Sequence, residues 1–133
     1  EELLLTISKA LESTLLKFCR ICNTNQNHTC KQYISNSPNI LTIFINRFEF
    51  SNNICKKLKH SVLLQEAIVV QGVSYVLIAI IDHHGDTLNS GHYTAQVKYD
   101  KWYACNDSRI GEINSVYTFS DTAYVLFFKR VDI

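Results

Sequence analysis

The chain has 133 residues, of which 47% are hydrophobic, so it holds enough apolar material for one modest core. Its formal net charge of +1 at pH 7 gives no reason to expect a nucleic acid or an anionic membrane as a partner. The odd number of five cysteines argues against a secreted disulfide framework, and no signal peptide opens the sequence, so we expect a cytoplasmic or nuclear protein.

The sequence up to residue 18 predicts the end of a strand over 3–7, followed by a short helix over 9–18. Ser8 has the side chain that favours the N-cap of a helix. Apolar side chains then recur at the spacing of one helix face, at Leu11, Leu15 and Phe18. The polar stretch 23–27 is typical of a turn.

Cys19 and Cys22 have the spacing at which two thiolates can grip one edge of a tetrahedral zinc ion. A structural zinc site needs four ligands. His28 and Cys30 could supply the other two, although a single residue between them is a tight spacing for a shared metal. One hypothesis from the sequence is therefore a zinc-binding interaction domain built on these four side chains.

The remainder of the chain predicts β-strands. A long strand over 40–50 is apolar on both faces at its start, which is typical of a central strand. The basic, asparagine-containing stretch 51–59 is predicted to be a solvated loop. Further strands are predicted near 67–70, 74–82, 92–99, 101–105 and 123–129. Together these segments predict a mostly antiparallel meander with little helix.

The segment that begins at His92 predicts a β-hairpin that brings polar groups together. Alternating side chains predict two strands on either side of Tyr99-Asp100, which suits a tight turn. Folding about that turn places His92 opposite Asn106 or Asp107, and a one-residue register slip decides between them. Either could accept a ring N–H and leave the other nitrogen to take a proton from a thiol. Thiol proteases orient their general base in this way.

The segment 82–91 is predicted to be a mobile loop directly before His92, because most of its residues are polar or small and two are glycines. His83 and His84 within this segment are predicted to be non-catalytic.

None of the five cysteines has the setting of a catalytic nucleophile, which is typically at a helix N-terminus beside the base. Cys19 and Cys22 lie at or beyond the end of the predicted helix, where the helix dipole disfavours a thiolate. Cys30 lies in a polar stretch, Cys55 in a predicted loop, and Cys105 on the strand face opposite Asn106. We therefore expect the nucleophile to lie outside this sequence, which contains no methionine and is expected to be part of a longer protein.

Several sequence boxes, in order along the chain, resemble those of the ubiquitin-specific proteases. The family's histidine box is matched by Gly91-His92-Tyr93-Thr94-Ala95, which resembles it. Its aspartate/asparagine box is similar to Trp102-x-x-Cys105-Asn106-Asp107-Ser108. Four more boxes are similar to family strands or steps: Pro38-x-x-Leu41 leading to Arg47-Phe48, Lys57-Leu58, Tyr75-x-Leu77-x-Ala79-Ile80, and Ala123-Tyr124-Val125-Leu126-Phe127-Phe128. The resemblance runs through most of the chain.

The resemblance implies the C-terminal part of a papain-like cysteine protease domain, an α+β fold. A remnant of the fingers is expected over about 1–36 and an antiparallel palm sheet over about 37–133. It implies a deubiquitinating thiol protease, with ubiquitin and ubiquitinated proteins as partners and no cofactor required for catalysis. The family's Gly-Asn-Thr-Cys box is missing from this sequence, so the chain alone is expected to be inactive. A catalytically silent ubiquitin-binding or scaffold domain is the alternative.

The resemblance also assigns individual residues. His92 takes the place of the general base and Asn106 that of the side chain that orients it, with Asp107 as a supporting or substitute orienter. Some family members have aspartate in place of this asparagine, and a neutral amide stabilises an imidazolium less than a carboxylate does. Cys19 and Cys22 are placed in one half of the structural zinc site of the fingers, whose other half would lie upstream of this sequence.

Overall fold

The computed structural model describes residues 3–116 and 119–132, with side chains from Ile7 onward. No helix in this described part is both long and apolar enough to cross a membrane. Its elements, in chain order, are α1 Leu3–Leu11, β1 Glu12–Cys19, β2 Thr24–Lys31, β3 Ile40–Phe44, β4 Phe48–Ser51, β5 Ile54–Lys57, β6 Val62–Leu63, β7 Ala67–Val70, β8 Val73–His84, β9 His92–Lys98, β10 Trp102–Asn106, β11 Arg109–Ile113, β12 Phe119–Ser120 and β13 Ala123–Arg130.

Seven strands form the main sheet, and every pairing in it is antiparallel. The hydrogen-bonded order is β11-β10-β9-β8-β13-β3, and β7 pairs with the first part of β8. The five strands predicted from residue 67 onward are all present, with ends shifted by at most two residues. The predicted antiparallel meander with little helix is therefore confirmed. β11, which the sequence pattern did not reveal, extends the meander by one strand.

The core of the sheet lies around the pairing of β8 with β13. Side chains of Leu77, Ile80, Leu126 and Phe128 are at most 1% exposed. Complete burial of an aliphatic or aromatic side chain contributes roughly 1.5–3 kcal/mol each, so this pair of strands is the most strongly held part of the sheet. Because β9 pairs with the other edge of β8, the core fixes the strand against which His92 lies.

The predictions for the first 31 residues are partly wrong. Residues 3–7 are helical, and the helix ends at Leu11. Residues predicted to continue the helix form β1, which pairs along its whole length with β2, and β2 includes most of the predicted turn. The chain reverses just before β2, where Asn23 has a positive φ of 53°. Leu15 and Phe18 are exposed on this hairpin, so their helical spacing did not mark a buried face.

The predicted long strand over 40–50 is two strands. β3 lies at one end of the strand order and not at its centre. β4 forms a hairpin with β5, and β5 lies in the stretch 51–59 that is predicted to be a solvated loop. Asn52 and Asn53 at its turn have φ values of 49° and 61°, as a two-residue type I′ turn requires. The Asn-Asn dipeptide was the sequence signal for this hairpin.

Arg47 accounts for the break between β3 and β4. Its side chain is 2% exposed and points inward. The guanidinium donates to four backbone carbonyls: those of Ala123 (2.8 Å), Ser120 (3.2 Å), Leu58 (3.3 Å) and His60 (2.6 Å). A buried cation is tolerated when its donors are satisfied in this way. Arg47 therefore ties the start of β13 to the segment that follows β5, and the chain has to leave the sheet to place it there.

Candidate active site

His92 and Asn106 meet at the open end of the hairpin formed by β9 and β10. The register pairs Cys105 with Ala95 and Trp102 with Lys98, and the chain turns at Tyr99-Asp100 as predicted. At the far end His92 Nε2 lies 2.7 Å from Asn106 Oδ1. Because Cys105 pairs with Ala95, Asn106 is level with Thr94 and not directly opposite His92 as predicted, and its side chain reaches the imidazole diagonally across the hairpin.

The direction of this hydrogen bond fixes the chemistry of the ring. An amide oxygen can only accept, so Nε2 of the neutral imidazole carries the hydrogen and donates it to Oδ1. The lone pair of the ring is then on Nδ1, which is the nitrogen able to take a proton from another group. Both side chains are exposed, so the site is accessible to a reacting partner.

Asp107 lies one residue beyond β10, in the tight turn that leads to β11. Its φ of 50° is a left-handed conformation that aspartate tolerates in turns. Asn106 pairs with Arg109 across this turn. Asp107 thus follows Asn106 directly in the sequence, and it is Asn106 whose side chain contacts the ring of His92. Its supporting role stays a prediction.

A second histidine lies directly across the sheet from His92. His84 pairs with His92 in the register of β8 and β9, and the two ring centroids are 6.4 Å apart. His84 Nε2 is 2.8 Å from Thr94 Oγ1. The prediction that 82–84 belong to a loop is wrong, because β8 continues through His84 and only the residues after it leave the sheet.

A buried polar network supports this end of the sheet from within. Asp82 is 4% exposed, and both of its carboxylate oxygens accept hydrogen bonds, from Gln96 Nε2 at 2.8 Å and from Thr122 Oγ1 at 2.9 Å. The network joins β8, β9 and the segment before β13. Charge-assisted hydrogen bonds of this kind are stronger than neutral ones and directional. The sequence pattern did not reveal this network, although Gln96 lies on the same face of the alternating strand as His92.

An open cleft of about 380 Å³ lies beside His84 and Asn106, the two residues that flank His92. Its lining includes His84, Thr94 and Asn106 together with the buried polar network. Cys105 also borders the cleft, but alternation along β10 puts its side chain on the opposite face from Asn106. The cleft gives a substrate segment room to approach the face that carries the His92–Asn106 pair.

His83, in contrast to its neighbour, is buried at 2% exposure. Its ring packs against Tyr93, Phe48 and Tyr124, with centroid distances of 4.9, 5.8 and 6.1 Å. Its Nδ1 has no hydrogen-bond partner among the described residues. Burial, and to a lesser extent the positive charge of Lys57, lowers the pKa of His83. His83 is therefore a neutral packing residue.

Gly91 fits between His83 and the backbone of β8. A Cβ at this position would overlap His83 Nε2 and would lie 2.5 Å from the carbonyl oxygen of His84. No side chain other than hydrogen can therefore occupy the position unless the backbone shifts. The glycine lets the chain turn back onto β8 one residue before His92.

The two halves of the hypothetical local zinc site lie apart. Cys19 and Cys22 are at the tip of the β1–β2 hairpin, whereas Cys30 pairs with Ser13 near its base. Six residues of strand separate the two ends, which is about 20 Å. No group of three or more metal-ligating side chains is present among the described residues. The hypothesis that Cys19, Cys22, His28 and Cys30 share one zinc ion is not supported by this arrangement.

The cysteine pair at the tip has the chemistry expected of two zinc ligands. Cys22 is exposed, and its Sγ lies 3.1 Å from Thr24 Oγ1. Hydrogen bonds from Thr24 and then from Cys19 lower the pKa of the Cys22 thiol. A lowered pKa favours the thiolate that zinc binds. The pair alone would supply two of the four ligands that a structural zinc site needs.

Comparison with known proteins shows the family. The family model "Ubiquitin carboxyl-terminal hydrolase" matches residues 6–128. The chain therefore belongs to the ubiquitin carboxyl-terminal hydrolase family of ubiquitin-specific proteases, as the sequence boxes indicated.

Curated relatives agree with this assignment. Ubiquitin carboxyl-terminal hydrolase 5 of Arabidopsis thaliana is 33% identical over 127 residues, which are 85% of this chain and 14% of the relative. Ubiquitin carboxyl-terminal hydrolase 12 of Saccharomyces cerevisiae is 32% identical over 127 residues, which are 85% of this chain and 10% of that protein. Ubiquitin carboxyl-terminal hydrolase 3 of Homo sapiens is 28% identical over 132 residues and is matched over 25% of its length. The chain thus spans a quarter or less of these relatives.

Solved structures show the same fold. A chain of the yeast SAGA DUB module with a mutant Sgf73 superposes with a TM-score of 0.85 at 24% sequence identity. The match covers 100% of this chain and 34% of that chain. A SAGA DUB module that contains Ubp8 and is bound to monoubiquitin gives a TM-score of 0.83 with the same coverage. The predicted α+β fold, part of a papain-like ubiquitin-specific protease domain, is confirmed.

Gly91→Ala is expected to disturb the site, because the added methyl group overlaps the ring of His83 and the backbone of His84. We expect a loss of about 1–3 kcal/mol in the free energy of unfolding, typical of an overpacked position. Gly111→Ala is the matched control, since a Cβ there meets no atom within 4 Å. Denaturant unfolding of both variants measures the difference. Equal stability of the two variants would contradict the close packing of Gly91.

His83→Phe is expected to change how stability depends on pH. The folded-state pKa of His83 is lowered, so on acidification the unfolded chain takes up a proton first. The stability associated with neutral His83 is fully present above its unfolded pKa of about 6.5 and is lost as pH falls through the folded pKa. Urea midpoints between about pH 7 and pH 5 should therefore fall more steeply for the wild type than for His83→Phe. The exposed His60→Phe is the control variant. Parallel curves of urea midpoint against pH for the wild type and His83→Phe would show that His83 does not contribute to the pH dependence of stability.

Proposed function

We propose that this chain is the base-bearing part of a deubiquitinating thiol protease, which hydrolyses the peptide or isopeptide bond after the C-terminal glycine of ubiquitin. The observation that carries the proposal is the 2.7 Å hydrogen bond from His92 Nε2 to Asn106 Oδ1 at the edge of an open cleft. It leaves Nδ1 as the proton acceptor, as a thiol protease needs. The family assignment and the solved neighbour bound to monoubiquitin support the same reading.

In this proposal the nucleophile is a cysteine in the rest of the protein. His92 Nδ1 takes the proton of that thiol, and the thiolate attacks the carbonyl carbon of ubiquitin's last glycine. The C–N bond then breaks, His92 returns the proton to the leaving amine, and a thioester remains. Water attacks the thioester with His92 again as the base, which releases the ubiquitin carboxylate and restores the thiol. Asn106 holds the ring in one tautomer throughout, and Asp107 supports that pair.

The five cysteines of the chain itself are poorly placed for this step. Three of them lie in strands of the two hairpins formed by β1–β2 and β4–β5: Cys19, Cys30 and Cys55. Cys22 is at the tip of the first hairpin, and Cys105 is on the strand face opposite Asn106. The absence of a suitable thiol near His92 in the described residues supports a nucleophile supplied from outside this chain.

The remaining assignments follow from the same proposal. Residues of about 1–36 would form part of the fingers and residues of about 37–133 the palm. Cys19 and Cys22 would provide half of a structural zinc site, and catalysis would need no cofactor. Ubiquitin and ubiquitinated proteins would be the partners, in the cytoplasm or the nucleus.

His92→Ala in the complete protein is expected to abolish cleavage of a ubiquitin-amide substrate, because no other group then accepts the proton of the thiol. A loss of roughly 10³-fold or more in kcat is expected from the removal of a general base of this type. His60→Ala is a matched control, since His60 is exposed and lies outside the site. Release of a fluorescent amine from ubiquitin measures both variants.

The control variant should retain near-normal activity. Near-normal activity of His92→Ala itself would refute the assignment of the base. A wild-type protein that binds ubiquitin but cleaves no ubiquitin-amide substrate would favour the silent binding or scaffold domain instead.

A further inference from the structure

Lys57, the last residue of β5, is buried although the sequence predicted that 51–59 are solvated. Its relative exposure is 9%. The Nζ atom donates to the carbonyl oxygen of His83 at 2.9 Å and to that of Gly85 at 2.7 Å. These acceptors lie 26 and 28 residues further along the chain. Lys57 therefore links the β4–β5 hairpin to the end of β8.

The charge of Lys57 is held by backbone dipoles and by no direct ion pair among the described residues. Burial and the nearby guanidinium of Arg47 lower the pKa of Lys57, whereas Asp86 and Asp121 act from a longer range in the opposite direction. An ammonium group removed from water is costly unless its hydrogens are accepted. Two of its three hydrogens have carbonyl acceptors here. An apolar residue of similar length would leave those carbonyls without a donor.

The two carbonyls lie where the chain leaves β8. His83 is the next-to-last residue of the strand, and Gly85, with a φ of 123°, begins the loop that ends at Gly91. The other end of the loop is fixed by the close fit of Gly91 against His83. Lys57 therefore holds the first residue of the loop and Gly91 the last, so the loop returns to β8 at a defined point. The next residue is His92.

We propose that Lys57 is a positioning residue for His92. It fixes the backbone at the start of the 85–91 loop, and through that loop the point at which β9 begins, so that the imidazole meets Asn106. The catalytic part of this inference rests on the proposed function of His92. The structural part, that Lys57 fixes the point at which β9 begins, does not. This role explains why Lys57 is buried and why it contacts the end of β8, 26 residues further along the chain.

A neighbouring lysine provides the matched control. Lys59 Nζ lies 2.5 Å from Asp86 Oδ1, in the same loop, but the two side chains are 61% and 78% exposed. An exposed ion pair contributes little, about 0–1 kcal/mol. Both lysines therefore contact the same loop, one through buried backbone carbonyls and the other through a solvated carboxylate. Only the buried contact is expected to control the position of His92.

The test compares Lys57→Met and Lys57→Arg with Lys59→Met in the complete protein. We expect Lys57→Met to lower kcat roughly 10²-fold with KM changed less than about threefold, because a shift of about 1 Å in a catalytic group has that effect while ubiquitin still binds. Lys57→Arg, which keeps donors, should recover most of kcat. Lys59→Met should keep both constants within about twofold. Hydrogen exchange of amides 85–92 should be faster in Lys57→Met and unchanged in Lys59→Met.

Three results would overturn the proposal. The first is an unchanged kcat in folded Lys57→Met. The second is a loss that appears equally in Lys59→Met, and the third is faster exchange spread evenly over the sheet instead of over 85–92. If Lys57→Met does not fold, Lys57→Gln takes its place, and a wild-type kcat in that variant would also overturn it. If the wild type has no activity, the proposed function fails, and the exchange of 85–92 alone decides the role of Lys57.

Discussion

The register between β8, β9 and β10 is the constraint on which the site depends. His92 lies opposite His84 on one side, and Cys105 lies opposite Ala95 on the other. Because side chains alternate along a strand, a slip of one residue would turn His92 to the opposite face and away from Asn106. The register is held by the Tyr99-Asp100 turn at one end of the hairpin. The hydrogen bond from Gln96 to Asp82 holds it in the middle.

Buried charged groups surround the end of the sheet that carries the site. Arg47, Lys57 and Asp82 are each at most 9% exposed, and each joins segments that are distant in sequence. Their partners are mostly backbone carbonyls, which neutralise a charge only in part. Apolar residues would give as much stability at a lower desolvation cost. What the charged groups add is direction, since each hydrogen bond fixes the position of a particular carbonyl or amide. In this fold, directional bonds set where β8 ends and where β9 begins.

The sequence predicted the carboxyl-terminal half of the fold better than the rest, for a physical reason. From β7 to β11 each strand pairs with its neighbour in sequence, so local patterns determine the meander, and β13 then pairs with β8 and β3. Before residue 60 neighbouring strands also form hairpins, but the local sequence patterns mislead. Leu15 and Phe18 follow a helical spacing but lie in a hairpin, and the strand expected over 40–50 is broken where Arg47 turns inward. The break depends on contacts between elements, including those of Arg47 with Ala123 and Ser120, which lie more than 70 residues away.

The site was predicted in part. Alternation placed His92 near Asn106 or Asp107 but could not choose between them, and the family boxes favoured Asn106, which the structure brings to the ring. The roles of Lys57, Gly91 and the buried His83 could not be read from the sequence, because each depends on a packing partner in another element. Lys57 follows Lys56 and lies two residues before Lys59, and a lysine in such a basic stretch looks solvated by local criteria. Its acceptors lie 26 and 28 residues away, and no periodicity connects them.

The central claim is that Asn106 fixes His92 in the tautomer with its hydrogen on Nε2, which leaves Nδ1 free to accept a proton. Nitrogen-15 NMR of the labelled imidazoles, at a mildly alkaline pH of about 8 where neutral histidine predominates, tests this most directly. We predict a protonated Nε2 and an unprotonated Nδ1 for His92 in the wild type. In Asn106→Ala the two nitrogens should shift toward the averaged values of the exposed His60. A hydrogen on Nδ1 in the wild type, or averaged values that Asn106→Ala leaves unchanged, would contradict the account.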